Sequence, residues 1–193
     1  MKDINNIWKN IKIEPLNNWT NSANTLMEKI NYTHCNGGIQ LHKYKIIGAE
    51  DIIWSSTNNA LFSPINPLER NNFIETILKN NNLNIYRNDL EINNDDIKIK
   101  YLEYYTDIYE LSGILGRIMG YGGAYYKLEP EIAWDTANKF VKDELGNRFE
   151  EYNMFIVNIK NAEWFYDIAW DITIIILGKI KNEIIFIDIT DTD

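Results

Sequence analysis

Two runs of β-branched apolar residues near the C-terminal end of the sequence flank a short polar connection. The first run is Ile172–Leu177, the second is Ile184–Ile189, and Gly178–Glu183 lies between them. Because side chains alternate between the two faces of a strand, these runs predict a β-hairpin. With Gly178 opposite Glu183, one face of the hairpin is entirely isoleucine. A slip of one residue would scatter the isoleucines over both faces, so this register is favoured.

The other face of the predicted hairpin is apolar near the turn and acidic at its far end. Asp171 and Asp188 become diagonal neighbours there. Like charges so placed destabilise a sheet unless a positive group answers them. That group is an internal base such as Arg117 or Arg148, a partner molecule, or a hard metal ion, and the sequence leaves the three open.

The remaining sequence alternates between helical and strand patterns. The predicted helices are two pieces within residues 1–31 broken at Glu14-Pro15, one starting at Asn66-Pro67, one after Asp107, and one from Glu129-Pro130 to Leu145. The predicted strands are Ile39–Ile47, Ile97–Tyr101, Ala124–Leu128 and Tyr152–Ile159. We therefore expect a single α+β domain over residues 1–193, with a mainly antiparallel sheet, the C-terminal hairpin at its centre and helices on one face.

Three glycines share one face of the helix predicted after Asp107. They are Gly113, Gly116 and Gly120. Each costs a helix roughly 1 kcal/mol relative to alanine, so a structural reason is needed. We expect close approach of a neighbouring helix or strand. The following Gly122-Gly123 is interpreted as a turn, since a phosphate-binding loop would join a strand to a helix and carry a lysine.

The charge and composition of the chain indicate which kinds of molecule it can bind. The formal net charge is −9, and the last 31 residues carry seven acidic against two basic side chains. This balance repels phosphate backbones, so we expect no nucleic-acid binding, and it attracts basic proteins. Apolar runs reach about six residues, far short of the roughly 20 that span a membrane. The single cysteine suits a reducing compartment, so a cytoplasmic location without membrane attachment is predicted.

Soft ligands and nucleophiles are scarce in this sequence. His34, Cys35 and His42 are the only histidine and cysteine residues. A zinc site needs a fourth ligand and better spacing, and a thiol nucleophile needs a nearby base. We expect a buried structural thiol at Cys35, and no cofactor.

Two stretches resemble known bacterial proteins. Asn36-Gly37-Gly38 through Ile46–Ile52 resembles the helix–NGG–strand signature of the SMI1/KNR4-like superfamily. The segments 122–125, 164–171 and 190–193 look like a pattern from small bacterial proteins of uncharacterised or immunity type. The resemblance implies a non-enzymatic immunity protein, which binds and blocks a cognate toxin domain encoded beside it.

The leading functional hypothesis is therefore an acidic binding protein that occludes a basic toxin domain, for example a nuclease. Tryptophan and tyrosine beside an acidic edge are usual anchors of protein interfaces, whereas most aromatic residues of a domain belong to its core. The predicted partner-binding residues are Asp167, Trp170, Asp171, Asp188, Asp191, Asp193 and Tyr125.

Two other functions fit the same sequence. One is a metal-dependent hydrolase or transferase that holds Mg²⁺ or Ca²⁺ with Asp171, Asp188 and Asp191. The other is an architectural subunit of a homo-oligomer. A divalent metal would raise the thermal stability of the first, and light scattering would reveal the second.

Overall fold

A computed structural model describes residues 4–48, 67–92, 97–101 and 107–193. The strands in this part of the chain form one antiparallel sheet. Its strands are β1 Lys12–Pro15, β2 Gly38–Ile47, β3 Ile99–Tyr101, β4 Tyr152–Ile159, β5 Ile172–Gly178 and β6 Glu183–Thr190. They lie in the order β1-β2-β6-β5-β4-β3, and every neighbouring pair is antiparallel. The predicted α+β class, antiparallel sheet and central C-terminal hairpin are confirmed.

The hairpin of β5 and β6 has the predicted register. Ile172 pairs with Ile189, and Gly178 pairs with Glu183 at the turn. Asn182 in the connection has a positive φ of 50°, a conformation that asparagine tolerates better than most residues. Side chains from Ile174 to Leu177 are at most 1% exposed on both faces of the sheet. The hairpin is therefore the centre of the core.

Helices cover both faces of the sheet, which corrects the prediction of one covered face. The helices are α1 Ile4–Asn10, α2 Asn21–Thr33, α3 Pro67–Leu78, α4 Asn84–Asp89, α5 Leu111–Tyr121 and α6 Pro130–Leu145. Ile174 and Ile176 pack with buried residues of α2, α5 and α6. Ile175 and Leu177 pack in a second core with residues of α1, α3 and α4. No helix in the described part is long and apolar enough to cross a membrane.

Several local predictions shift by a few residues or fail. Residues 12–15 form an edge strand, and Thr20 instead of Asn21 or Ser22 caps α2 by accepting a hydrogen bond from the Ala23 backbone. The predicted strand Ala124–Leu128 is a loop. Ala49–Ile52 of the family-like segment and the region 51–62, whose pattern is ambiguous, lie outside the described residues.

The glycines of α5 allow α6 to lie against it. A Cβ added at Gly116 would lie 3.5 Å from the Cα atom of Trp134, and one at Gly120 would lie 3.8 Å from the Cβ atom of Ala133. These are ordinary contact distances, so the two helices meet at their small residues. The predicted close approach of a neighbouring helix is confirmed.

Candidate functional site

The structure separates the seven predicted partner-binding residues into buried and accessible groups. Asp188 and Asp191 are 0% exposed and Asp171 is 5% exposed, so the prediction that these three form an acidic outer surface is wrong. The accessible residues are Asp167, Tyr125 and Asp193, which are exposed, and Trp170, which is half-buried. Asp167 also has a charged neighbour, the ammonium group of Lys160.

Asp188 lies in the core beneath α4. Its Oδ1 atom accepts hydrogen bonds from the hydroxyls of Thr173, at 2.6 Å, and Tyr86, at 3.1 Å. Its Oδ2 atom is buried and has no hydrogen-bond partner in the described part of the chain. Burial raises the pKa of Asp188 to about 7, although the two hydroxyls oppose this shift. Asp188 is therefore a core residue with no access to a partner.

Asp171 closes the loop that leads into β5. Its Oδ1 atom accepts from the Thr190 hydroxyl at 2.5 Å, and its Oδ2 atom accepts from the Ile168 backbone N–H at 2.8 Å. The carboxylate thus ties the loop of residues 164–170 to the end of β6. The donors are one hydroxyl and one backbone amide at Asp171 and two hydroxyls at Asp188, instead of an internal base such as Arg117 or Arg148.

Asp191 joins two loops that are distant in the sequence. Its Oδ1 atom accepts from the Asn36 backbone N–H at 3.0 Å, and its Oδ2 atom accepts from the Ala124 backbone N–H at 2.7 Å. The Gly123 N–H donates to the Thr33 carbonyl at 3.1 Å. A buried carboxylate that accepts from two backbone N–H groups holds those backbone segments firmly, because hydrogen bonds to a carboxylate are strong where water is excluded. Asp191 therefore positions the loops after α2 and after α5, and we call its hydrogen bonds to Asn36 and Ala124 the Asp191 clamp.

The end of α2 and the loops near Asp191 carry four tyrosines, which we call the tyrosine face: Tyr32, Tyr125, Tyr126 and Tyr166. Their exposed fractions lie between 49% and 63%. The rings of Tyr32 and Tyr126 stack with centroids 5.2 Å apart and an interplanar angle of 30°. The Tyr166 hydroxyl donates to the Asn36 carbonyl at 3.3 Å, which links it to the same Asp191 clamp. Four rings that are each 49% exposed or more are thus held at this end of the molecule.

The sequence interpretation found part of this face. It predicted Tyr125 as a partner-binding residue, but it did not predict Tyr32, Tyr126 or Tyr166. Tyr32 lies in the last turn of α2, where its position beside the Gly122-Gly123 turn depends on long-range packing. Its place outside the apolar stripe of Leu26 and Ile30 was the only available signal.

The candidate metal-binding and nucleophilic side chains lie apart in the described part of the chain. No three His, Cys, Asp or Glu side chains converge within residues 4–48, 67–92, 97–101 and 107–193 in a way that could hold a metal ion. His34 is buried against the Thr33 hydroxyl, and burial lowers its pKa. Cys35 is exposed, so the expected buried thiol is wrong. His42 contacts Asp89 at 2.9 Å. The hypothesis of an aspartate-based metal site gains no support from this geometry.

Neither a protein-family model, nor a curated protein, nor a solved structure matches this chain. The structural basis for a functional proposal is therefore the geometry of the tyrosine face and the charge of the chain.

Changing Gly123 to alanine tests whether the Asp191 clamp organises this end of the molecule. A Cβ at Gly123 would lie 1.8 Å from the Asp191 Oδ2 atom and 2.8 Å from the Thr33 carbonyl oxygen, so the carboxylate must move. We expect Gly123→Ala to lower the free energy of unfolding by about 2 kcal/mol or more, measured by urea denaturation.

Gly113→Ala is the matched control for this substitution. Its added Cβ meets only Trp134, at 3.9 Å, in the first turn of α5. We expect a gain of up to about 1 kcal/mol there, since alanine favours helix. Equal effects of the two substitutions would contradict a special role of the clamp.

Proposed function

We propose that this chain is a non-enzymatic cytoplasmic binding protein of the immunity type, which holds a basic protein toxin domain against its tyrosine face. The single observation that carries the proposal is a set of four accessible tyrosines at the end of α2 and on loops beside one buried aspartate, which binds the backbone of Asn36 and Ala124. Tyrosine supplies a large contact area at a small cost in conformational entropy, and it is enriched at the energetic centres of protein interfaces.

The net charge of −9 supports a cationic partner. Acidic proteins attract basic partners over a distance comparable to the Debye length, so association is fast at low salt and slower at high salt. Two exposed acids lie near the tyrosine face, Asp193 and Glu28. Asp193 follows Thr192, whose carbonyl accepts a hydrogen bond from the Asn36 side chain, and Glu28 precedes Tyr32 by one turn of α2. In this proposal the acids speed the encounter, and the tyrosines provide the affinity.

The choice of a toxin as the partner comes from the sequence resemblance to immunity proteins. A partner of this kind is encoded beside its immunity protein, so the product of the neighbouring reading frame is the first to test. We expect it to be basic, to arrest growth when expressed alone, and to lose toxicity when this chain is expressed with it.

The tyrosine face is tested with the double variant Tyr125→Ala, Tyr126→Ala. Both rings are at least half exposed, so the substitutions leave the core intact. Loss of two central aromatic contacts costs about 2 kcal/mol or more, so we expect a dissociation constant at least roughly 30-fold higher, measured by calorimetry, and loss of growth rescue.

The control for this experiment is Tyr109→Ala. Tyr109 is 63% exposed, as Tyr125 is, but it precedes the N-terminus of α5, whereas Tyr125 and Tyr126 follow its C-terminus. We expect Tyr109→Ala to bind and rescue like the unchanged protein. A neighbouring product that is harmless, or a loss of binding in the Tyr109 variant that equals the loss in the double variant, would refute the proposal.

A further inference from the structure

Two members of the tyrosine face, Tyr32 and Tyr126, form a stacked pair. Tyr32 is 54% exposed and Tyr126 is 50% exposed, although their rings pack on one another. The pair therefore covers part of its own apolar surface and leaves the rest accessible. Aromatic ring faces carry negative electrostatic potential and attract cations that approach them.

An exposed carboxylate lies beside this pair. Glu28 is exposed and precedes Tyr32 by four residues on α2, so the two side chains are neighbours on one helix surface. Lys127, also exposed, follows Tyr126, and Lys29 is half-buried next to Glu28. The local charge is thus mixed, while the chain as a whole carries −9.

We propose that the Tyr32–Tyr126 pair together with Glu28 is a subsite for an arginine side chain of the basic partner. This inference rests on the proposed function and names the chemistry by which the partner is recognised. A guanidinium group is planar, stacks on aromatic faces and donates paired hydrogen bonds to a carboxylate, whereas a lysine ammonium is a hydrated point charge that does neither as well.

Other occupants fit the chemistry of this subsite less well. A nucleic-acid base also stacks on tyrosine, but its phosphate backbone is repelled by the acidic chain. A purely apolar segment would gain nothing from Glu28 and would leave that carboxylate partly desolvated.

Two synthetic peptides test the subsite directly: eight arginines and eight lysines, each titrated into the full chain at low salt and followed by calorimetry. The two peptides carry equal charge, so any difference reports on the side-chain chemistry. We expect the arginine peptide to bind roughly fivefold to tenfold more tightly. Tyr32→Ala with Tyr126→Ala should remove this preference, whereas Tyr32→Phe with Tyr126→Phe should keep it, because the rings remain.

Two single variants complete the experiment. Glu28→Gln should weaken arginine binding about twofold to threefold, as expected for one exposed ion pair. Tyr109→Ala should leave the preference unchanged. Equal binding of the two peptides to the unchanged protein, or loss of the preference in the Tyr109 variant, would overturn the inference.

The peptide experiment fails separately from the proposed function. If the neighbouring gene product binds through the tyrosine face but the peptides show no preference for arginine, the subsite is wrong and the binding function stands. If the preference is present but the neighbouring product does not bind, the subsite stands as an arginine-recognition site and the toxin partner is wrong.

Discussion

Glu144→Ala is expected to destabilise the protein by about 3 to 5 kcal/mol, because it leaves a buried lysine without a counter-charge. The Lys43 ammonium lies 2.5 Å from the Glu144 Oε2 atom, and both side chains are at most 4% exposed. The Oε1 atom accepts from the backbone N–H of Thr20 at 2.9 Å and from its hydroxyl at 2.7 Å. The carboxylate of Glu144, on α6, thus binds both a strand of the sheet and the beginning of α2.

The Lys43 side chain has little else to compensate for its burial. Its ammonium lies 4.3 Å from the centroid of the Trp19 ring, an interaction weaker than the lost ion pair. Urea denaturation should therefore show a lower midpoint for Glu144→Ala with a nearly unchanged slope. The double variant Lys43→Met, Glu144→Ala should recover part of the loss, since the uncompensated charge is gone.

An exposed ion pair on the same helix provides the control. Lys139 pairs with Asp143 at 2.9 Å, one turn apart on α6, and the lysine side chain is 67% exposed. Solvent screens such pairs, so Lys139→Ala should hardly move the midpoint. A loss in the double variant as large as that in Glu144→Ala would contradict the uncompensated charge as the cause.

The Lys43–Glu144 pair illustrates which features are beyond a sequence-based prediction. The two residues lie 101 positions apart, on β2 and α6, and neither neighbourhood reveals the other. The β5–β6 register, by contrast, was predictable because alternation and a four-residue connection specify it locally. The register of a hairpin follows from neighbouring residues, so it can be predicted from the sequence. A long-range ion pair depends on how distant elements pack, so it cannot.

The covering of both sheet faces has a local signal in the sequence of the hairpin. Ile175 and Phe186 face one side of the hairpin, and Ile174 and Ile187 face the other, so both sides are apolar near the turn. A strand that is apolar on both faces is buried on both faces. The continuous run Ile172–Leu177 therefore already indicated a second helical layer.

The burial of the aspartates also has a local signal. Thr173 pairs with Asp188 across the hairpin, and the hydroxyls of Thr173 and Thr190 bind the carboxylates of Asp188 and Asp171. Threonine beside aspartate at the end of an apolar strand is a donor suited to a buried carboxylate. The tyrosine face gave a weaker signal, because its members come from α2 and two distant loops.

Asp188→Asn is expected to stabilise the protein at neutral and alkaline pH. In the folded state burial raises the pKa of Asp188 from 3.8 to about 7. The folded chain therefore binds this proton more tightly than the unfolded chain does, and the contribution of Asp188 to the free energy of unfolding falls as the pH rises from about 4 through 7. A shift of about three units corresponds to roughly 4 kcal/mol at most.

Asparagine resembles the protonated acid in shape, and its side chain does not ionise. Its amide oxygen keeps an acceptor for the hydroxyls of Thr173 and Tyr86, which now donate to Asp188. The other nearby titratable groups are occupied: Tyr44 accepts from the Tyr86 backbone N–H, and Arg87 donates to the Leu78 and Asn80 carbonyls. The substitution therefore removes one titration from an otherwise unchanged cluster.

The measurement is the difference in unfolding free energy between Asp188→Asn and the unchanged protein, taken by urea denaturation from pH 4 to pH 8. This difference cancels the titration of every group that the two proteins share. It should be small near pH 4 and should grow in favour of the variant through pH 7. Asp167→Asn, an exposed carboxylate whose side chain is 76% accessible, should show no comparable growth. A difference that stays constant across the range would mean that Asp188 keeps its charge in the core, and that the two hydroxyls outweigh the cost of its burial.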